Sequence, residues 1–311
     1  MNRPAIAAVA AACGAVAGCF YLAATLGTPG ALILVYVTQL PLFIAGLWLG
    51  ASAAAIAGST GVIVLLAASD LWGAAVFAVM NAAPVVLLVR QALLARRRED
   101  GVLVWYPPGL LAGWLVGLAV TGIGAAVLLY GGPQAIQSEL QGVVGQVLDR
   151  LAERPVPNRD QVAGMLAAII PGMIAASWMA MSVINAALAQ GLLARFRVGW
   201  RPSPNMAELG LPLWVPILFG GAAAATVFGG APRFIGINVV LALVVPFCLA
   251  GLAVLHAASR RLTTPTMALV GFYIMASLFG WPFIAVAILG LFESWLGLRH
   301  RLAPQGAHID G

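Results

Sequence analysis

Three asparagines lie inside long apolar stretches, where a polar side chain costs free energy and is therefore informative. Asn81, Asn185 and Asn238 each carry an amide that donates and accepts hydrogen bonds. Two interpretations stay open: they are ordinary ties between neighbouring helices, or they line a polar ligand pocket. The further side chains that would line such a pocket are Gln39, Trp178, Tyr273 and Trp281.

Glu293 is the acid of the last apolar stretch, and it precedes Arg299 by about two helical turns. Ionisable groups at membrane depth cost several kcal/mol, so each one is a candidate for a functional role. Glu293 either pairs with the arginines that follow it or takes part in coupling or docking. We include it among the ligand-pocket candidates.

The sequence carries no motif for catalysis or metal binding. It contains neither HExxH nor GxGD, and Gly58-Ser59-Thr60-Gly61 lacks the serine that GxSG places third. It contains no lysine, which excludes a P-loop and a Schiff-base lysine. The three cysteines form no CxxC pair and are interpreted as small core residues. We therefore expect no enzyme, no catalytic residue, no cofactor and no metal.

Composition places these side chains in a membrane protein. Of the 311 residues, 62% are hydrophobic and 8% are charged, whereas soluble domains have roughly half and about a quarter. Apolar runs of about 18 to 25 residues recur, each long enough to cross a hydrocarbon core as a helix. The prediction is an all-α, polytopic transmembrane helix bundle of about 8 to 10 membrane segments, forming one integral membrane domain over residues 1–311.

Eight spans and one longer apolar stretch follow from these runs. The spans are about 5–26, 31–49, 52–68, 72–94, 108–130, 162–193, 210–229 and 234–257. The stretch 265–298 is too long for one helix, and Gly280-Trp281-Pro282 breaks it because proline removes a backbone donor. Whether this stretch crosses twice or is re-entrant stays open.

Arginine clusters orient the spans, since positive residues collect on the cytoplasmic side. An even number of crossings between clusters gives cytoplasmic loops at about 96–106, 195–208 and 259–264, a cytoplasmic tail at 299–311, and both termini inside. The clusters adjoin apolar runs and form no groove for nucleic acid. We interpret the absence of lysine as codon bias in a GC-rich genome, and we expect the protein in a bacterial inner membrane.

One predicted helix lies outside the bilayer, at about 134–154. Apolar residues from Ile136 to Leu151 recur at helical spacing, with glutamines and charges on the opposite face. Pro155 and Pro157 end it. It is either an interfacial helix that tethers a long loop or a lid over a substrate cavity.

Small residues at helical spacing mark a packing face on the first span. Ala10, Gly14 and Gly18 are four residues apart, and such ridges let helix backbones approach closely in lipid. They are candidates for a partner interface, although general helix packing explains the same pattern.

Two segments resemble a known family. The stretch from Arg195 to Pro216 and the tail from Leu289 to Arg301 resemble the YybS-like predicted membrane proteins, domain of unknown function 2232. In that family the tail runs Gly-Leu-Leu-acid-x-Trp-x-acid-x-Arg, and Gly297 departs from the second acid. The matching residues are Gly290, Leu291, Glu293, Trp295 and Arg299.

The resemblance implies a fold similar to the substrate-binding S components of energy-coupling-factor vitamin transporters. There a small-residue face on the first helix docks the coupling subunit, and Ala10, Gly14 and Gly18 would take that part. We expect a protein that binds a small molecule for transport. Its partners would be the lipid bilayer with a separate coupling or ATPase module, or a second copy of itself. The alternative is a non-transporting scaffold that binds proteins or lipids.

Overall fold

The computed structural model describes residues 2–151, 157–206 and 209–299. The predicted end of the external helix at 152–154 and the predicted tail from 300 onward lie outside the described residues. The first half of the chain contains α1 (Arg3–Leu22), α2 (Pro29–Tyr36), α3 (Gln39–Leu49), α4 (Ala51–Ala68), α5 (Leu71–Phe77), α6 (Ala83–Ala92), β1 (Ala95–Arg97), β2 (Leu103–Trp105), α7 (Pro108–Leu129) and α8 (Pro133–Leu151). The second half contains α9 (Arg159–Arg195), α10 (Trp214–Ala225), α11 (Gly230–Ser259), α12 (Pro265–Phe279) and α13 (Trp281–Leu296).

The chain divides into two compact units. The first unit is Met1–Trp114 with Ala180–Pro204, and the second unit is Leu115–Met179 with Asn205–Gly311. The boundaries fall within α7 and α9, so both helices contribute to both units. The expected single integral membrane domain stays a prediction.

Helices of the first unit pack through small residues. A Cβ atom added to Gly14 on α1 would collide with the backbone carbonyl of Ala57 on α4, and Gly61 on α4 lies against the Phe77 ring. Close backbone approach maximises van der Waals contact where lipid supplies no hydrophobic drive. Glycine is therefore required at these crossings.

One buried arginine organises the polar end of the first unit. The Arg201 guanidinium donates to the carbonyls of Ala92 (2.9 Å) and Tyr106 (2.8 Å), and Gln190 Nε2 donates to the Arg201 carbonyl (2.9 Å). Burial lowers the pKa of Arg201 from its ordinary value. The loop after α9 is thereby fixed to the end of α6 and to the segment after β2.

In the second unit, the backbones of α11 and α13 approach closely. A Cβ atom on Gly251 would collide with the Val286 carbonyl, and one on Gly290 would collide with the Phe247 carbonyl. The two glycines let the helix axes approach at two successive levels. The match of Gly290 to the family tail thus falls on a packing position.

Seven helical stretches of the described residues are long and apolar enough to cross a membrane. They are Arg3–Leu26, Pro29–Leu49, Ala51–Ala68, Leu71–Ala92, Pro108–Leu129, Arg159–Arg195 and Gly230–Ser259. The pair α12 and α13 is an eighth candidate and is bent by 118°. The predicted all-α polytopic bundle is confirmed, with a segment count at the lower end of the prediction.

Two predicted segments differ from the structure. The predicted span 210–229 contains only α10, whose twelve residues reach about 18 Å at 1.5 Å per residue. Proline at 212 precedes the helix and the Gly229-Gly230 pair follows it, with Gly230 at φ +64°, so neither side extends it. The predicted loop 96–106 contains the antiparallel strands β1 and β2.

Helix α8 confirms the predicted amphipathic helix. Its polar face, however, bonds to another helix, and part of its apolar face is exposed. Ile136 packs with Val127 and Phe234, whereas Val143 and Val147 are exposed. The glutamines of the polar face bond α9, since Gln137 donates to the Gly164 carbonyl and Gln141 to the Asp160 carbonyl. Within the second unit, α8 therefore lies against the helices.

Arg159 ties the start of α9 to the end of α8. Its Nε and Nη2 atoms each lie 2.7 Å from an Asp149 carboxylate oxygen, and Nη1 lies 2.7 Å from Asp160 Oδ1. The hydrogen bond from Arg159 lowers the pKa of Asp149 from its ordinary value. Gly145 leaves the space for this guanidinium.

Candidate functional site

Prolines interrupt two candidate spans of the first unit at mid-length. Proline has no N–H, and its ring clashes with the carbonyl four residues earlier. Pro41 follows the break at 37–38 between α2 and α3, where the Leu40 N–H donates to the Val37 carbonyl (3.0 Å). Pro84 follows the π-helical segment Ala78–Ala82. Both interruptions leave backbone carbonyls available to side chains of other helices.

Asn185 on α9 binds the end of α2. Its Nδ2 atom donates to the Tyr36 carbonyl (2.7 Å) and to the Met181 carbonyl (2.8 Å). Both amide hydrogens are therefore used, and two carbonyl acceptors define which atom of the amide is nitrogen. Tyr36 is the last residue of α2, so Asn185 binds the helix at its break.

Gln39, the first residue of α3, makes the equivalent contact with the second interruption. Its Nε2 atom donates to the carbonyl of Met80 (3.2 Å), which stands four residues before Pro84. Asn81, the next residue of the π-helical segment, is 5% exposed. The break between α2 and α3 is thus connected to the interruption before α6.

Three buried polar atoms in the described part of the chain have no hydrogen-bond partner: Gln39 Oε1, Ser182 Oγ and Asn185 Oδ1. Their residues are at most 1% exposed, and an unsatisfied buried group costs about 1–3 kcal/mol. Ser182 and Asn185 are three residues apart and share one face of α9. We call Tyr36, Gln39, Met80, Ser182 and Asn185 the polar cluster.

Asn238 in the second unit has the opposite arrangement. Its Oδ1 atom accepts from the Gly172 N–H (2.6 Å), and its Nδ2 atom donates to the carbonyls of Ala168 (2.9 Å) and Phe234 (2.8 Å). Gly172 follows Pro171, and a Cβ atom there would lie 2.7 Å from the Asn238 carbonyl oxygen. Every polar atom of this amide is engaged, so its geometry is that of a tie between α9 and α11.

Glu293 is also engaged. Arg299 Nε lies 2.6 Å from Glu293 Oε1, and the Arg299 backbone N–H donates to Glu293 Oε2 (3.1 Å). Glu293 is 6% exposed, and Gly297 ends α13 in the left-handed conformation at φ +58°. Of the two interpretations of Glu293, pairing with a following arginine is present, and the coupling role stays a prediction.

The aromatic pocket candidates are spread over the second unit. Trp178 is buried in α9, and Tyr273 on α12 is exposed, with its ring edge-on to Phe272. Trp281 begins α13 and is 60% exposed. The structure therefore places Gln39, Asn81 and Asn185 in the first unit and the other five candidates in the second.

Sequence comparison adds a family to this geometry. The family described as predicted membrane protein DUF2232 matches residues 15–294. The chain belongs to DUF2232. No curated protein and no solved structure matches it.

In this DUF2232 chain, the small residues of α1 face the chain itself. Ala10 is fully buried, Gly14 abuts Ala57, and a Cβ atom on Gly18 would lie 3.0 Å from a Val64 methyl group. A partner docking here would have to displace α4. The partner role of this face stays a prediction.

Sequence analysis did not identify Ser182 in this DUF2232 chain, or the helix interruptions that precede Pro41 and Pro84. The spacing of residues in the sequence could have indicated both. Ser182 lies one helical turn before Asn185, and Pro84 lies four residues after the carbonyl that Gln39 binds. A proline inside an apolar run indicates a carbonyl to be satisfied, and an amide in another run is a candidate to satisfy it.

Proposed function

We propose that this multi-pass membrane protein binds a small molecule at the polar cluster and takes part in its transport, without an ATPase of its own. The observation that carries the proposal is the polar cluster itself. It joins two interruptions at the middle of candidate spans, and three of its buried atoms have no protein partner. Broken helices that present polar groups at the midplane are a recurring way to build transporter sites.

The proposal includes the bacterial inner membrane and cytoplasmic termini, supported by the arginine clusters. The tail from Leu289 to Arg301 supports a similarity to transporter S components. A separate coupling or ATPase module would then supply energy, because the lysine-free sequence cannot form a P-loop. The sequence carries no motif for acid-base or nucleophilic catalysis, so the proposal includes no enzymatic activity.

A ligand screen on the purified full chain in lipid nanodiscs tests the proposal. The panel contains vitamins, nucleosides and other small metabolites, and the measurement is the ligand-induced change in melting temperature. We expect at least one compound to raise the melting temperature saturably, because binding to the folded state stabilises it. Ser182→Ala should weaken that response.

Ser294→Ala is the matched control. Ser294 also lies on an apolar helix, but its Oγ atom donates to the Gly290 carbonyl (2.9 Å) in the second unit. The response should survive this substitution. A panel without any saturable response, or a response that Ser182→Ala leaves unchanged, would overturn binding at the polar cluster.

The second candidate function is a membrane scaffold, which exposed arginines favour. Arg96 and Arg97 on β1, with Arg98 next to it, are exposed, and Phe196 and Trp200 in the loop after α9 are each 65% exposed. Exposed cations suit anionic headgroups, and exposed aromatic rings suit the membrane interface. Replacing the three arginines by glutamine should lower recovery of anionic lipid with the purified protein. Unchanged recovery would remove this candidate.

A further inference from the structure

The polar cluster has an excess of acceptors over donors. Asn185 donates both amide hydrogens to the carbonyls of Tyr36 and Met181, and Gln39 donates one to the carbonyl of Met80. Two amide oxygens and the Ser182 hydroxyl oxygen are left unpartnered. A ligand that enters this cluster would therefore meet more hydrogen-bond acceptors than donors.

The backbone adds negative character to the same place. The C-terminal end of a helix carries partial negative charge on its last carbonyls, and α2 ends at Tyr36 within hydrogen-bond distance of Asn185. The arrangement combines the C-terminal end of a broken helix with side-chain oxygens and contains no carboxylate. Sites of this composition coordinate monovalent cations in transporters, whereas divalent cations prefer carboxylates.

We propose that the polar cluster binds a monovalent cation, Na⁺ in the first instance, through Ser182 Oγ, Asn185 Oδ1 and Gln39 Oε1. The cation satisfies the three oxygens that the protein leaves unpartnered, and the dipoles of these neutral groups replace part of its hydration shell at membrane depth. The inference rests on the proposed function, to which it adds a cation bound at the same polar cluster. The cation proposal can be wrong while the proposed function holds, because a small molecule can bind the protein in the absence of any specific cation.

Cation titration of the full chain in nanodiscs tests this proposal. Melting temperature is measured in choline chloride, then in mixtures with NaCl, KCl or LiCl at constant ionic strength, without any small molecule. We expect a saturable rise with one cation. Ser182→Ala should weaken the apparent affinity by about tenfold or more, as loss of groups supporting a bound ion does.

The sign of the Ser182→Ala effect in choline separates a cation site from a merely structural serine. Because Ser182 Oγ has no partner, its removal should leave the melting temperature unchanged or raised when no cation is present. A structural role predicts a fall in choline. Ser294→Ala, which loses a bond outside the cluster, should retain the wild-type cation affinity.

Two outcomes overturn the cation site. One is the same melting temperature in all four salts, which leaves water or a neutral ligand as the occupant. The other is a cation response that Ser182→Ala fully retains. If Ser182→Ala does not fold, Gln39→Met and equilibrium binding of radioactive Na⁺ to the wild type decide the question. Small-molecule binding that is equal in choline and Na⁺ would overturn the cation and keep the proposed function.

Discussion

Asn185 and Asn238 are the same residue type in equally buried positions, at 1% and 0% exposure, yet their hydrogen bonds differ. The Asn238 amide donates two bonds and accepts one, whereas the Asn185 amide donates two and its oxygen accepts none. The difference comes from the neighbouring backbone. Asn238 faces both a carbonyl and an N–H beside Pro171, while the Asn185 amide bonds to two carbonyls.

The comparison shows that residue type alone does not determine the role of an amide inside a membrane protein. A proline break supplies free carbonyls, which engage amide hydrogens. The amide oxygen is satisfied only if an N–H is also within reach, as Gly172 provides for Asn238. Without one, the oxygen is available to a ligand, and the following experiments examine this distinction.

The largest effect is expected at Gly172. In Gly172→Ala the new methyl group would meet the Asn238 backbone, lowering the free energy of unfolding by about 2 kcal/mol. Gly117→Ala on α7 is the control, because nothing lies within 4 Å of a Cβ atom there. Unfolding in mild detergent measures both. Equal stability of the two variants would mean that α9 and α11 do not meet at Asn238.

Asn238→Leu should follow, with a loss of about 1–2 kcal/mol, since hydrogen bonds between membrane helices contribute modestly. The substitution removes two donated bonds and one accepted bond. Asn185→Leu should cost less, because it also removes an unsatisfied buried oxygen. If chemical denaturation gives the reverse order, the proposed distinction between the two amides is wrong.

Gln39→Met should have a small effect in cation-free buffer, within about 0.5 kcal/mol. The variant loses one bond of 3.2 Å and also loses the unpartnered Oε1, and the two contributions oppose each other. Thermal unfolding in choline chloride is the measurement. A loss comparable to that of Asn238→Leu would show that Gln39 is a structural tie.

The smallest effect concerns the exposed pair of Asp149 and Arg159. Because the folded pKa of Asp149 is lowered, its contribution is present above the ordinary carboxyl pKa and is lost as pH falls through the folded value. Below about pH 4, amide exchange at the start of α9, corrected for intrinsic rates, should increase relative to neutral pH.

Asp149→Asn should remove that pH dependence, while Glu139→Gln, an exposed substitution on the same helix, should leave it intact. Retention of the pH dependence in Asp149→Asn would assign it to another carboxylate.

Much of the fold was predictable because membrane crossing imposes length and apolarity on each span. The break at Gly280 was predictable from Gly280 and Pro282, which act on their own helix. The break between α2 and α3 was missed because Pro41 lies four residues after it, inside a run that remains apolar. The amides were identified by type, but their different hydrogen bonding depends on backbone groups far away in sequence, which periodicity does not reveal.

The difference in burial between α12 and α13 affects the choice of medium for the purified protein. Helix α13 buries five residues, including Gly290 and Glu293, whereas Ala276 is the buried residue of α12. Large side chains of α12 such as Leu278 and Phe279 are exposed, so we expect lipid to contact them where neighbouring helices contact α13. A detergent that packs poorly around the fifteen residues of α12 should loosen α12 first and leave α13 on α11, which makes lipid nanodiscs the appropriate medium for this chain.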